Sequence, residues 1–167
     1  MIRIFGGPER PAWFQSSMTS SQNQIEVSLR SKLDYVDMIE SISDSVTRMM
    51  GFDEDAAHWI GMSVRESVVN AIVHGNKEDK GKHFGVKYEI HPDRLVVVVR
   101  DEGRGFDESR LPDPLDASNL LKPSGRGIFY MKSFMDEVEF NAIPGGGMEL
   151  RMVKKLVVGA EGGDNEN

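Results

Sequence analysis

Four consecutive valines, Val96–Val99, lie within the segment RLVVVVRD at residues 94–101. Successive side chains of a strand point to opposite faces of a sheet, so this run predicts a strand that is buried on both faces. The segment FGVKYEIH at 84–91 predicts a second strand, and Pro92-Asp93 between them indicates a hairpin turn. The chain therefore needs a sheet with this hairpin near its centre.

The remaining patterned segments predict the layer that covers the sheet. Residues 33–50 place apolar residues at helical spacing and end at Gly51, and a second helix begins at Asp53 or Asp55 and runs to His74. IEVSLRS (25–31), DEVEFNAI (136–143) and MELRMVKKL (148–156) predict further strands, with a helix at 127–134. Helices grouped beside antiparallel strands indicate an α+β, two-layer sandwich, with a mixed, mostly antiparallel sheet of about five strands covered on one face by about three helices.

Length, charge and cysteine content limit the possible functions. The 167 residues suit one domain at 24–156, between a mobile arm at 1–23 and a Gly-rich acidic tail at 157–167. A net charge of −7 argues against direct nucleic-acid binding, and no apolar run is long enough to cross a membrane. The absence of cysteine excludes thiol catalysis and zinc–thiolate sites and suits a cytoplasmic protein.

The second helix repeats polar side chains every four residues at Glu66, Asn70 and His74. At 100° per residue the three form one stripe, while the apolar residues opposite them would face the core: Val64, Val68, Ala71 and Ile72. This stripe is either a functional surface or the solvated side of an amphipathic helix. For His74, a helix-end or packing role is favoured over a catalytic one.

Two glycine pairs follow the buried strand and precede the next helix. Asp101 is followed by Gly103 and Gly105, and Gly125 and Gly127 flank Arg126. A carboxylate at a strand end can accept a hydrogen bond from the amino group of adenine, and free N–H groups at a helix start suit phosphates. The chain has no phosphate-binding G-x-x-x-x-G-K-[ST] loop, and Gly103-x-Gly105 lacks the third glycine of a dinucleotide fingerprint.

Three motifs in order, RESVVNAIVHGN, VRDEGRGFD and GRGIFYMKSFMDEVEF, resemble those of the Bergerat-fold (GHKL) ATPases. Within that superfamily the chain is most similar to the bacterial anti-sigma-factor serine/threonine kinases of sporulation and stress regulation. The similarity covers about residues 25–155 and implies binding of ATP and Mg²⁺, sequestration of a sigma factor, and phosphorylation of a serine on a STAS-type anti-anti-sigma protein. It also implies a possible homodimer.

The resemblance assigns roles to individual residues. It implies that Asn70 ligates Mg²⁺, that Glu66 accepts a proton from the attacking hydroxyl, and that Asp101 reads adenine. The nucleotide-binding glycines and a possible phosphate contact would be Gly103, Gly105, Gly125, Arg126 and Gly127. The chain departs from the family at Met148, where a threonine usually follows the glycines, and a thioether cannot donate a hydrogen bond.

Two further functions stay open beside the kinase. Because Met148 replaces the usual threonine, the chain could be a non-catalytic, nucleotide-gated module that activates or titrates a phosphatase or signalling complex. A detached histidine-kinase domain is disfavoured, since no helical hairpin with a phospho-acceptor histidine precedes the motifs, and His58 lies inside the helix that carries Asn70. A gyrase- or MutL-type ATPase would need a transducer domain, for which the chain has no room.

Overall fold

The computed structural model describes residues 2–5, 23–104 and 123–157, with side chains at 23–104 and 127–157. Its strands are β1 (Ile2–Phe5), β2 (Asn23–Arg30), β3 (His83–Ile90), β4 (Arg94–Arg100), β5 (Glu137–Ala142) and β6 (Met148–Lys155). Its helices are α1 (Val36–Met50), α2 (Glu54–Asn70) and α3 (Pro123–Phe134). A 3-10 turn (Leu33–Tyr35) precedes α1, and a π-helical turn (Ala71–Gly75) extends α2.

The strands form one sheet in the order β1-β2-β3-β4-β6-β5. Every neighbouring pair is antiparallel except β1 and β2, which run parallel. The predicted α+β class, with a mixed and mostly antiparallel sheet, is confirmed. The predicted hairpin of β3 and β4 is confirmed, and β5 pairs with β6 as a second antiparallel hairpin.

The edge strand β1 corrects one prediction. Residues 1–23 were expected to form a mobile arm, yet Ile2 pairs with Ile25 and Phe5 with Ser28 along the edge of the sheet. The segment IRIF consists of bulky β-branched or aromatic residues and one arginine, which is typical of a strand. The pattern is only four residues long and is followed by Gly and Pro, so the sequence alone does not distinguish it from irregular chain. Residues 6–22 lie outside the described residues.

The hydrophobic core lies between one face of the sheet and the helices. The four core residues predicted on α2 and its π-turn, Val64, Val68, Ala71 and Ile72, are all at most 5% exposed. They pack with alternate residues of the strands, including Val27, Tyr88, Val97 and Met152. Leu33 differs from its prediction: it lies in the 3-10 turn rather than in α1 and is exposed.

The valine run is buried on both faces of β4, as predicted. Val97 and Val99 belong to the main core, whereas Val96 and Val98 form a second small cluster with Val153 of β6. Since side chains alternate along a strand, the second cluster lies on the face of the sheet opposite the helices. Both neighbours of β4 therefore contribute to a well-buried central strand, and Asp101 follows directly at its end.

Local capping explains where α2 begins and where α1 ends. The Asp53 carboxylate accepts a hydrogen bond of 2.7 Å from the Ala56 N–H, so Asp53 is the N-cap of α2. Gly51 ends α1 at φ 81°, a left-handed conformation that favours glycine. In the part of the chain that the structure describes, no helix is both long and apolar enough to cross a membrane.

Candidate nucleotide-binding site

The Asp101 carboxylate is held at the exit of β4 by main-chain groups. Its Oδ1 accepts hydrogen bonds from the Gly103 N–H at 2.7 Å and from the Met148 N–H at 3.2 Å. The side chain is only 7% exposed, and burial raises the pKa of Asp101 although these two hydrogen bonds act in the opposite direction. Both bonds go to Oδ1, which sets the orientation of the carboxylate, and no described residue donates a hydrogen bond to Oδ2.

Glycines surround this carboxylate because larger residues would not fit. A Cβ on Gly75, at the end of the π-turn, would overlap the carboxylate of Asp101. A Cβ on Gly103 would lie 2.6 Å from the Gly75 carbonyl oxygen. The end of α2 and the exit of β4 thus touch through glycine main chain, which brings the helix that carries Asn70 against the strand that carries Asp101.

Asn76 links the same elements from behind. Its side chain is fully buried, and its Nδ2 donates to Ser31 Oγ at 2.6 Å and to the His83 carbonyl at 2.8 Å. Its Oδ1 accepts the Glu102 N–H at 2.8 Å. One amide therefore ties the end of α2 to β2, β3 and the loop that contains Asp101. Asn76 was not among the predicted site residues.

Glu66 and Asn70 lie one turn apart on the last two turns of α2, and both are half-buried. Neither side chain forms a hydrogen bond with any other residue that the structure describes. The Glu66 carboxylate lies against Gly127 in α3, so closely that a Cβ on Gly127 would overlap it. Two of the predicted site residues that are 61 positions apart in sequence are therefore in contact.

The outcome differs for the other predicted residues. His74 lies in the π-turn and is exposed. A π-turn closes i→i+5 hydrogen bonds, as between the Asn76 N–H and the Ala71 carbonyl, so His74 lies in an irregular continuation of α2 and not in the regular helix that the four-residue repeat assumed. Gly125 and Arg126 lie in the first turns of α3, but their side chains are outside the described residues, as is all of Gly105.

The structure also shows what surrounds Met148. The hydrogen bond to Asp101 comes from the main-chain N–H of Met148, and the Met148 carbonyl accepts the Asp101 N–H at 3.0 Å. Gly147 precedes it at φ 102°, and a Cβ there would overlap the Asp101 carbonyl oxygen. The main chain therefore supplies a donor to the carboxylate at the position where the thioether cannot.

These residues fit a nucleotide with one bound magnesium ion. Asp101 offers Oδ2, which accepts no hydrogen bond from the described residues, Gly75 and Gly103 leave no side chain beside that carboxylate, and Asn70 offers one amide oxygen. In the described ranges no cluster of three His, Asp or Glu side chains could hold a metal ion by itself. A single amide ligand suits Mg²⁺, which keeps several waters and takes further oxygens from phosphates.

Comparison with known proteins decides the family. Residues 29–154 match the histidine kinase-like ATPase domain. The serine-protein kinase RsbW of Bacillus subtilis is 31% identical over 127 residues, which cover 72% of this chain and 79% of that protein. The chain belongs to the histidine kinase-like ATPases, in the group of the RsbW serine-protein kinases.

Two further relatives agree. The serine-protein kinase RsbW of Staphylococcus epidermidis is 32% identical over 148 residues, covering 83% of this chain and 91% of that protein. The protein of the same name from Bacillus velezensis is 30% identical over 146 residues, covering 83% and 89%. The resemblance to anti-sigma-factor kinases of the GHKL superfamily, drawn from the three motifs, is confirmed. Membership of this family implies ATP binding.

Proposed function

We propose that the chain is an anti-sigma factor with serine/threonine protein kinase activity, acting in the cytoplasm. It would bind Mg-ATP, sequester a sigma factor, and phosphorylate a serine of a STAS-type anti-anti-sigma protein. The observation that carries the proposal is the position of Glu66: a half-buried carboxylate on α2, in contact with Gly127 in the first turns of α3 and one turn from Asn70. A binding module that never transfers phosphate does not need a carboxylate there.

Each of the site residues would have a separate role in phosphoryl transfer. Asp101 would accept a hydrogen bond from the adenine amino group through Oδ2, since Oδ1 is already used. Asn70 would ligate Mg²⁺, and the N-terminal turns of α3 would face the phosphates with free N–H groups. When bound, ATP would supply the phosphoryl group and leave as ADP, and Mg²⁺ would offset the negative charge of the phosphates. Glu66 would take the proton that the serine hydroxyl loses, and the fixed spacing of Glu66 and Asn70 aligns the acceptor.

Phosphoryl transfer does not itself require binding of a sigma factor or pairing of two copies of the chain. Binding of the sigma factor and pairing of two copies of the chain are part of the proposal through the family alone. The acidic balance of the chain, with a net charge of −7, favours basic partner surfaces and disfavours direct binding to nucleic acid.

The test is a pull-down from the native lysate with the wild-type chain, in the presence of Mg-ADP, Mg-ATP or neither, read by mass spectrometry. We expect a sigma factor and a STAS protein that carries a new phosphoserine. An Asp101→Asn variant is the control, because its weaker nucleotide binding should reduce every nucleotide-dependent difference. Capture of a phosphatase or a receptor complex without phosphoserine would support the nucleotide-gated binding module instead.

A further inference from the structure

Met148, the first residue of β6, lies beside Asp101 on the face of the sheet that the helices cover. Val99 of β4 is opposite Leu150 of β6, and both side chains belong to the main core. Two positions beyond that pair, at the exit of β4, the Asp101 N–H donates to the Met148 carbonyl at 3.0 Å and the Met148 N–H donates to Asp101 Oδ1 at 3.2 Å. Because side chains alternate along a strand, the thioether of Met148 and the carboxylate of Asp101 are neighbours on the same face.

Small residues surround this pair. A Cβ on Gly75 or on Gly103 would overlap the Asp101 carboxylate, and the residue opposite Met148 on β5 is Ala142. A base bound at the carboxylate therefore meets glycine main chain at positions 75 and 103 and a side chain at Met148. That side chain is half-buried, so part of its surface is open to solvent beside the predicted nucleotide site.

The methionines of the chain differ in their access to solvent. Met131 and Met152 are fully buried, and each sulfur lies 3.5 Å from the Ser67 hydroxyl, which donates to it. Met49 on α1 is 64% exposed. Met148 lies between these extremes, and no described residue donates a hydrogen bond to its sulfur. Since the chain has ten methionines and no cysteine, thioethers are the only sulfur groups that an oxidant can reach.

Hydrogen peroxide converts a thioether into a sulfoxide. A lone pair of the sulfur attacks one peroxide oxygen, the O–O bond breaks, and the other oxygen leaves as water after proton transfer, so the sulfur loses two electrons and the peroxide gains them. The new oxygen accepts hydrogen bonds and donates none. At Met148 this oxygen would lie beside the Asp101 carboxylate, which is also an acceptor, and it would replace an apolar surface that suits a purine ring.

We propose that Met148 is an oxidation site through which hydrogen peroxide lowers the affinity of the chain for its nucleotide. The thioether contacts the base of the bound nucleotide, so the nucleotide shields it from the oxidant. The sulfoxide loses that apolar contact and repels the Asp101 carboxylate. Methionine sulfoxide reductases restore the thioether and with it the affinity. This proposal rests on the nucleotide binding in the proposed function and requires no phosphoryl transfer.

Oxidative footprinting tests whether the nucleotide covers Met148. The full-length chain is treated with hydrogen peroxide in the presence and absence of saturating Mg-ADP, and oxidation of each methionine is followed by peptide mass spectrometry. We expect Mg-ADP to slow the oxidation of Met148 by about fivefold or more and to leave the oxidation of Met49 unchanged. Equal rates at Met148 with and without Mg-ADP would overturn the proposal, as would an unmodified Met148 when Met49 is fully oxidised.

A matched pair of variants tests whether this one sulfur controls the affinity. Met148→Leu and Met49→Leu each replace a thioether with an apolar side chain of similar volume. The affinity for Mg-ADP is measured by calorimetry before and after peroxide treatment, so each chain is compared with its own untreated sample. The wild type and Met49→Leu should bind Mg-ADP about tenfold more weakly after treatment, whereas Met148→Leu should change by less than about twofold. Methionine sulfoxide reductases of both epimer specificities should reverse the loss in the wild type.

The outcomes separate this proposal from the kinase function. If peroxide weakens Mg-ADP binding equally in the wild type and in Met148→Leu, the oxidation-site proposal is overturned. If the wild type keeps its affinity although Met148 is oxidised, the oxidation-site proposal is overturned and the kinase function stands. A wild type that binds no Mg-ADP overturns both, and one that binds Mg-ADP but phosphorylates no STAS protein overturns the kinase function alone.

Discussion

Replacing Asn76 with alanine should destabilise the fold and weaken nucleotide binding together. The Asn76 side chain makes three hydrogen bonds in a fully buried position, to Ser31, to the His83 carbonyl and from the Glu102 N–H. At about 1 kcal/mol of net stability for each bond, the variant should lose about 3 kcal/mol. The loss is that large because two main-chain groups would be left buried without their partner.

The effect should reach the nucleotide through one of those groups. The Glu102 N–H follows Asp101 directly in the loop after β4, so loss of its acceptor frees the segment that orients the carboxylate. We expect the affinity for Mg-ADP to fall about tenfold, which corresponds to about 1.4 kcal/mol. Asp101 itself keeps its two main-chain donors, which limits the loss.

Urea unfolding and calorimetric titration with Mg-ADP measure the two effects. With an m-value of about 1–3 kcal/mol per molar urea, a loss of about 3 kcal/mol lowers the midpoint by at least about 1 M at unchanged m. Asn141→Ala is the matched control, since Asn141 is exposed on β5 and should change neither quantity. A loss below about 1 kcal/mol for Asn76→Ala would refute the view that this amide joins the site.

Three further changes have expected outcomes. Gly127→Ala should lower stability by about 1–3 kcal/mol, because the new Cβ would overlap the Cγ, Cδ and Oε1 atoms of Glu66. It should also reduce phosphoryl transfer, because the Glu66 side chain has to move, and unfolding and transfer assays on one preparation check both. Asp101→Asn should bind Mg-ADP about 10- to 100-fold more weakly. The amide oxygen would keep the hydrogen bonds from the Gly103 and Met148 N–H groups, so the amide NH₂, which is a donor, would face the adenine amino group, which is also a donor. Burial raises the pKa of Asp101, so the wild type loses part of its stability as the pH rises from the unfolded-state pKa through the higher folded-state pKa. Asp101→Asn does not titrate, so its stability relative to the wild type should rise over the same pH range, measured by urea unfolding. Tyr88→Phe removes a buried 2.8 Å hydrogen bond to Ser43 and should cost about 1 kcal/mol in the same unfolding assay, with Mg-ADP binding unchanged.

Much of the fold could be predicted because the spacing of apolar residues agreed with the residues that begin and end helices and strands. The valine run required burial on both faces, Gly51 required a left-handed residue, and Asp53 offered a carboxylate at the right distance from Ala56. Each of these signals depends on neighbouring residues in the sequence, so it can be interpreted without knowledge of the tertiary structure. The edge strand β1 was missed because its four residues gain their stability from pairing with β2, which a short pattern does not reveal.

The site was predictable where a motif fixes a main-chain geometry and less so where contacts are distant in sequence. Asp101 and Gly103 are two residues apart, and their hydrogen bond follows from the sequence order. Two sets of contacts connect separate elements: the contact of Glu66 with Gly127 and the three hydrogen bonds of Asn76. The spacing of residues along the chain does not predict them. The π-turn that contains His74 depends on packing at the end of α2, whereas the repeat assumed a regular helix.

The central claim is that Glu66 makes this nucleotide-binding chain a kinase, and one measurement tests it most directly. Wild-type and Glu66→Gln chains are incubated with Mg-ATP and each STAS-domain protein of the same genome, and phosphoserine and Mg-ATP affinity are measured in parallel. We expect phosphoserine with the wild type and a rate about 10²- to 10⁴-fold lower with Glu66→Gln, at equal Mg-ATP affinity. Equal rates would contradict the role of Glu66, and tight Mg-ATP binding without phosphoserine on any STAS protein would show that the chain is a nucleotide-gated binding module.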